Sequence, residues 1–119
     1  MAIELVDLKK LIEFIPVSER GKSNPTVFYI KPATYRDLLN LNKLFKMDRT
    51  TGEIEFSEAD AWLNFLTKRI AKIDLDGKTV IDKPKDIEET LEKLPMKIGQ
   101  ELFDFVQNTT MLDGGQIKN

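Results

Sequence analysis

Apolar residues near the start of the chain fall in two short β-rich runs, separated by a polar stretch. Residues 11–17 and 26–30 are rich in β-formers, and residues 18–25 between them include Gly21 and Pro25 as turn residues. This pattern predicts an N-terminal β-hairpin. Its connection is longer than is usual for hairpins, so it is either a solvated loop or a contact surface.

The apolar spacing then changes to that of an amphipathic helix. Apolar residues recur three and four positions apart over residues 35–45, and Thr34 just before them is a favourable N-cap. A first helix is therefore predicted over residues 35–45. Residues 47–56 break the pattern, and Thr51-Gly52 within them predicts a turn between two short segments with little core.

A second helix is predicted to begin after Ser57, which with Asp60 forms a near capping box. The apolar residues that follow lie on one helical stripe: Trp62, Phe65, Leu66, Ile70 and Ile73. We expect this stripe to be core, because an exposed apolar patch of that size would impair solubility. Trp62 is expected to be its central residue.

The last third of the chain predicts a turn, a short strand and two helices. Residues 74–77 end in Asp-Gly, which favours a tight turn, and residues 78–81 read as a strand. Residues 86–94 have helical spacing, and Pro95 ends that helix and can begin the next. The final helix is marked by Ile98, Leu102, Phe105, Val106 and Thr109.

These elements predict an α+β fold: an N-terminal β-hairpin, then a small bundle of about four helices with a short extra strand or hairpin. A chain of 119 residues fits a single domain. We assign it to residues 1–112, and residues 113–119, which include Gly114-Gly115 and a polar end, to a flexible C-terminal tail.

Composition removes several classes of function. A net charge of -2, from 18 basic and 20 acidic residues, gives no field that would attract nucleic acid. The chain has no cysteine and no histidine, which excludes disulfides, thiolate metal sites and histidine-based catalysis. Its start is acidic where a secretory signal is basic, and no stretch is long enough to span a bilayer. We expect a cytoplasmic protein that contacts no membrane.

Two partial motifs fail on spacing. If Gly77 held the glycine position of an EF-hand loop, the first and last ligand positions would fall on Lys72 and Lys83. Residues 76–79, Asp-Gly-Lys-Thr, match the end of a P-loop, but position 72 lacks the required glycine and the order of helix and strand is reversed. Both motifs are better explained as a turn.

Carboxylate pairs such as Glu88 with Glu89, or Glu53 with Glu55, lie in charged segments that give no sign of burial, so we read them as surface charges. We therefore expect no enzymatic activity and no cofactor. Candidate protein-binding residues remain: Phe28, Tyr29, Ile54, Phe56 and Phe103. Neighbouring strand residues point to opposite faces, so one of Phe28 and Tyr29 packs inward and the other faces outward.

The order of these pieces resembles the small tail assembly chaperones of long-tailed bacteriophages, which are encoded between the tail tube and tape measure proteins. The resemblance is carried by layout, over residues 28–35, 68–73, 74–82, 87–95 and 101–106. In the fourth of these, the Leu-Pro at residues 94–95 separates two short helices, as is common in the family. Residues 47–56 depart from the family layout as an apparent insertion between the first two helices.

The resemblance implies a protein that binds the tape measure protein and keeps it soluble, in the cytoplasm of the bacterial host, while tail tube protein assembles around it. It also implies homo-oligomers and, in some members, a longer product made by frameshifting near the C-terminus. Three alternatives stay open. These are a virion structural component such as a head-tail connector or tail completion protein, a small enzyme that uses only Asp, Glu, Lys, Ser or Tyr, and a generic bacterial interaction module.

Overall fold

A computed structural model of the protein describes residues 3–47, 54–56 and 59–111. Within these ranges the chain forms strands and helices in the order β1 (Ile12–Phe14), β2 (Val27–Ile30), α1 (Tyr35–Leu44), β3 (Phe45–Met47), β4 (Ile54–Phe56), α2 (Ala59–Arg69), β5 (Ile70–Asp74), β6 (Val80–Ile81), α3 (Pro84–Glu92) and α4 (Met96–Met111). A 3₁₀ turn, Val17–Glu19, lies between β1 and β2. The predicted α+β fold is confirmed, with its N-terminal hairpin and four helices.

The main sheet is larger than the sequence predicted. It has four antiparallel strands in the order β1-β2-β5-β6. The short strand after the Asp-Gly turn is β6, as expected, but β5 replaces the predicted last turn of the second helix. Ile70 and Ile73 were wrongly placed on that helix. Their spacing suits a helix, yet Ile73 lies opposite Phe28 of β2 and both are fully buried.

Two helices change into strands with no intervening residue. α2 ends at Arg69 and β5 begins at Ile70, while α1 ends at Leu44 and β3 begins at Phe45. β3 pairs with β4 as a separate antiparallel ribbon. The short segments predicted around residues 47–56 are therefore a two-stranded ribbon, whereas Thr51, Gly52 and Ser57 lie outside the described residues.

The four helices cover one face of the main sheet. The buried apolar core includes Phe14, Phe28, Ile30, Leu41, Leu44, Phe65, Ile70, Ile73, Ile87, Leu91, Leu102 and Val106. Trp62 is not the central core residue that the sequence suggested, since it is half-buried and packs against the margin of this cluster. The sheet takes the central place because Phe28, Ile30 and Ile73 have no exposed surface.

Local signals explain where several elements begin. The amide and hydroxyl of Thr34 donate to Oδ2 of Asp37 at 2.9 and 3.1 Å, and the Asp37 amide donates back to Thr34 Oγ1 at 3.4 Å. The predicted N-cap is thereby confirmed as a reciprocal capping box. Gly77 has a φ of 85°, as the predicted turn before β6 requires. Pro84 starts α3, and Pro95 precedes α4.

The assigned tail, residues 113–119, lies outside the described residues. None of the helices in the described ranges is long and apolar enough to cross a membrane.

Candidate protein-binding surfaces

Of the two neighbouring aromatic residues in β2, Phe28 points into the core. It is fully buried, and its ring lies 6.3 Å from that of Phe14, which stacks in turn on Phe105 at 4.7 Å. Phe28 therefore has no surface to offer a partner in the folded chain, and the prediction that it is a binding residue is corrected. The strand period of two then places Tyr29 on the opposite face.

Tyr29 lies on the face of the sheet that the helices leave uncovered. Its neighbours across the strands are Glu13 in β1 and Lys72 in β5. Glu13 is exposed, whereas Tyr29 and Lys72 are half-buried. The Nζ of Lys72 lies 4.7 Å from the centroid of the Tyr29 ring, which is a cation–π contact. This open face thus carries a row of acid, aromatic and base, next to the buried Val27.

Phe103 forms an aromatic pair between α2 and α4. Its ring meets Trp62 edge to face, with centroids 5.0 Å apart, and Trp62 meets Phe65 in the same manner at 6.3 Å. Phe103 and Trp62 are both half-buried, so the pair shows apolar surface on the outside of the helical layer. Ile54 and Phe56 belong to β4, but their side chains lie outside the described part of the structure.

Four exposed apolar residues lie close together near the start of the chain, in a segment for which the sequence predicted no contact. Ile3 and Leu5 are each 90% exposed, Leu8 is 56% exposed and Val6 is 44% exposed. We call residues 3–8 the N-terminal apolar segment. In the sequence, the acidic residues of this segment served only as evidence against a secretory signal. The missed signal was four apolar residues among six, before the first predicted strand.

A buried arginine fixes the helices behind the sheet. Arg69 is 1% exposed, and its Nε donates to Thr110 Oγ1 at 3.2 Å. Its Nη1 donates to the Lys31 carbonyl and lies 3.8 Å from Asp37 Oδ2. Burial lowers the pKa of Arg69, and the charge of Asp37 opposes that shift. One side chain therefore joins the end of α2 to the end of β2, the cap of α1 and the end of α4.

The long β1–β2 connection is held by hydrogen bonds. Glu19 accepts from Lys22 at 2.7 Å and from the Thr26 amide at 3.1 Å, and both bonds lower the pKa of Glu19. The Val17 amide donates to Oε1 of Glu101 in α4 at 2.9 Å. The Thr26 hydroxyl donates to the Leu75 carbonyl at 2.7 Å. The loop is thus tied to α4 and to the β5–β6 turn.

Shallow grooves run between the helices. One of about 440 Å³ lies between α1 and α2, lined by Leu44, Ala61 and Phe65 with Asp37, Asn40, Lys43, Asp60, Asn64 and Lys68. Another of about 550 Å³ lies between α2 and α3, where three glutamates of α3 face lysines of both helices. Each groove carries both signs of charge. Among residues 3–47, 54–56 and 59–111, no group of three or more acidic, His or Cys side chains is placed to hold a metal ion.

The structure places the candidate residues on separate surfaces. Tyr29 lies on the open sheet face, Phe103 lies on the helical layer, and the N-terminal apolar segment lies ahead of β1. No family model, curated protein or solved structure matches this chain.

Proposed function

We propose that this protein works by binding other protein chains, as a tail assembly chaperone of a long-tailed bacteriophage. In this role it binds the tape measure protein in the host cytoplasm and keeps it soluble until tail tube protein assembles around it, with no catalysis and no cofactor. The observation that carries the proposal is the N-terminal apolar segment, whose Ile3 and Leu5 are each 90% exposed. Contiguous exposed apolar surface marks sites of contact with other chains.

The segment has the chemistry to cover apolar stretches of a client. Its sequence, Ile-Glu-Leu-Val-Asp-Leu, mixes apolar residues with two carboxylates, so bound clients would gain apolar cover and a charged outer surface. Full burial of a Leu, Ile or Val side chain contributes about 1.5–3 kcal/mol. Ordering each backbone residue of the segment costs about 1–2 kcal/mol. The two contributions are of similar size, so a single segment binds weakly.

Weak binding fits a chaperone that must be displaced. Many copies along one long client add avidity, while each contact stays reversible and can yield to the growing tail tube. The half-buried pair of Trp62 and Phe103 offers a second apolar contact on each copy. Two modest contacts per copy would hold a client more firmly than either alone.

The test is co-expression with the neighbouring gene for the longest coiled-coil-rich protein, the expected tape measure protein. The soluble fraction of that protein is measured with the wild-type chain and with the triple variant Ile3→Ser, Leu5→Ser and Leu8→Ser. These side chains are all exposed, so the variant should fold as the wild type does. Met96→Ser is the matched control, because Met96 is also 90% exposed but lies at the start of α4.

We expect the wild type and the Met96 variant to raise the soluble fraction and to co-purify with the client, and the triple variant to lose most of this effect. Equal solubilisation by all three chains would remove the segment from the binding site. No solubilisation by the wild type would overturn the proposed function. If purified phage particles then contained the chain, a virion structural component would replace it.

A further inference from the structure

The open face of the main sheet carries a row of three side chains whose order is complementary to itself. Glu13, Tyr29 and Lys72 lie directly opposite one another across β1, β2 and β5. Neighbouring strands are about 4.8 Å apart, so the Cα atoms of Glu13 and Lys72 flank that of Tyr29 at nearly equal distances. The four helices pack on the other face, which leaves this row outside the core.

We propose that this face packs against the same face of a second copy of the chain, about a two-fold axis parallel to β2 that passes beneath Tyr29. Such an axis exchanges the two ends of the row. Glu13 of each copy then lies opposite Lys72 of the other, and the two Tyr29 rings meet at the axis. The interface is isologous, so each charge pair forms twice.

Charge complementarity argues for a second copy over an unrelated partner. The row has the order acid, aromatic, base, and the rotation reverses this order in the second copy. Each charge then faces the opposite charge of the other copy, so the face is complementary to itself. The axis also keeps the strands of both sheets aligned, which is one of the two usual packings of sheets about 10 Å apart. Lys72 already extends over the Tyr29 ring, at 4.7 Å from its centroid, so its charge is held on this face.

The size of the face sets the strength of the dimer. Four strands of at most five residues cover no more than roughly 300 Å² in projection. Stable interfaces bury about 800 Å² on each partner, so this contact belongs to the small, reversible class. The dimer should therefore form only at protein concentrations that approach about 1 mM. Its dissociation constant should rise as salt is added.

The test is sedimentation equilibrium on four samples: the wild type, Glu13→Lys, Lys72→Glu, and an equimolar mixture of the two variants. Each variant alone places like charges opposite each other at two points, and should weaken the dimer about tenfold or more. In the mixture, the first variant presents two lysines and the second presents two glutamates. Both contacts are then favourable, so a heterodimer should form with wild-type strength or better.

Glu88→Lys and Lys85→Glu are the matched controls, since they reverse exposed charges on α3 outside the sheet face. They should dimerise as the wild type does. A wild type that stays monomeric at about 1 mM would overturn the proposal. So would a dimer that is insensitive to both sheet variants, or a mixture that does not recover. None of these outcomes depends on binding to a client, so this test is separate from that of the proposed function.

Discussion

Arg69, the last residue of α2, donates a hydrogen bond to Thr110, near the end of α4, at 3.2 Å and across 41 residues of sequence. Two helical turns earlier, Trp62 meets Phe103 with the same separation in sequence. Equal separation at both contacts means that α2 and α4 run side by side in the same direction. The aromatic pair holds one end of this helix pair and the arginine holds the other, at the point where α2 becomes β5.

Loss of the Arg69 side chain should be among the most damaging single changes. Arg69→Ala removes the buried side chain that donates hydrogen bonds to the Lys31 carbonyl and to the Thr110 hydroxyl. We expect a loss of about 3–5 kcal/mol in the free energy of unfolding. Urea unfolding measures it. Arg36→Ala, at an exposed position of α1, should change stability by less than about 0.5 kcal/mol. Similar midpoints for both variants would contradict the anchoring role.

Three glycines should respond differently to alanine. Gly77→Ala places a Cβ at φ 85° and 3.1 Å from Asn24 Oδ1, so we expect a loss of about 1–2 kcal/mol. Gly21 has a φ of 92° with open space around it, and its substitution should cost less. Gly99 lies within α4 with no atom near the new methyl group, so Gly99→Ala should stabilise by about 0.5–1 kcal/mol. Thermal unfolding of the three variants checks this order.

Acid should weaken the β1–β2 connection through Glu19. Its pKa is lowered from the ordinary 4.5, chiefly by the hydrogen bond from Lys22 and then by that from the Thr26 amide. A carboxyl group with a lowered folded pKa stabilises the fold fully above its unfolded pKa. This contribution is lost as the pH falls through the folded pKa.

Glu19→Gln should therefore flatten the decline in stability below about pH 4.5. Lys22→Met removes the largest cause of the shift, so the Glu19 pKa measured by NMR should move toward its ordinary value. An unchanged Glu19 pKa in the Lys22 variant would show that the ion pair is not formed in solution.

The Trp62 and Phe103 rings should be coupled in stability. Edge-to-face pairs contribute about 0.5–1.5 kcal/mol beyond the area that they bury. A double-mutant cycle with Trp62→Leu and Phe103→Leu should give a coupling energy in that range. The same cycle for Trp62 and Leu102, an aliphatic residue buried in the core, gives the coupling energy without a second aromatic ring, for comparison. A coupling near zero for the aromatic pair would mean that the two rings contribute only through burial.

Local sequence signals predicted much of the fold. Thr34 marked the start of α1, and the Asp-Gly turn at Gly77 marked the entry to β6, because capping and positive φ depend on a few neighbouring residues. The spacing of apolar residues likewise predicted the hairpin and the four helices, because it depends only on nearby positions in the chain.

Contacts between distant parts of the chain determine the features that local sequence patterns could not predict. Ile70 and Ile73 are three residues apart, which fits a helical stripe, whereas a regular strand would place them on opposite faces. Pairing with β2, forty or more residues away, selects the strand, and a register shift between Tyr29 and Ile30 lets both isoleucines be buried. Strand alternation left Phe28 and Tyr29 as equal candidates for the core. The inward choice depends on Phe14 and Ile73, which flank Phe28 on the same face and come from separate parts of the chain.

The inner strand β2 pairs with two parts of the chain that are synthesised at different times. β1 lies just ahead of it, whereas the partner on its other edge is β5, and the bond from Thr26 to Leu75 spans 49 residues. During synthesis the hairpin can therefore close well before β5 emerges from the ribosome. Through that interval β2 has one edge unpaired, open to pairing with any other strand. The nascent chain is thus most prone to aggregate until more than half of it has been made.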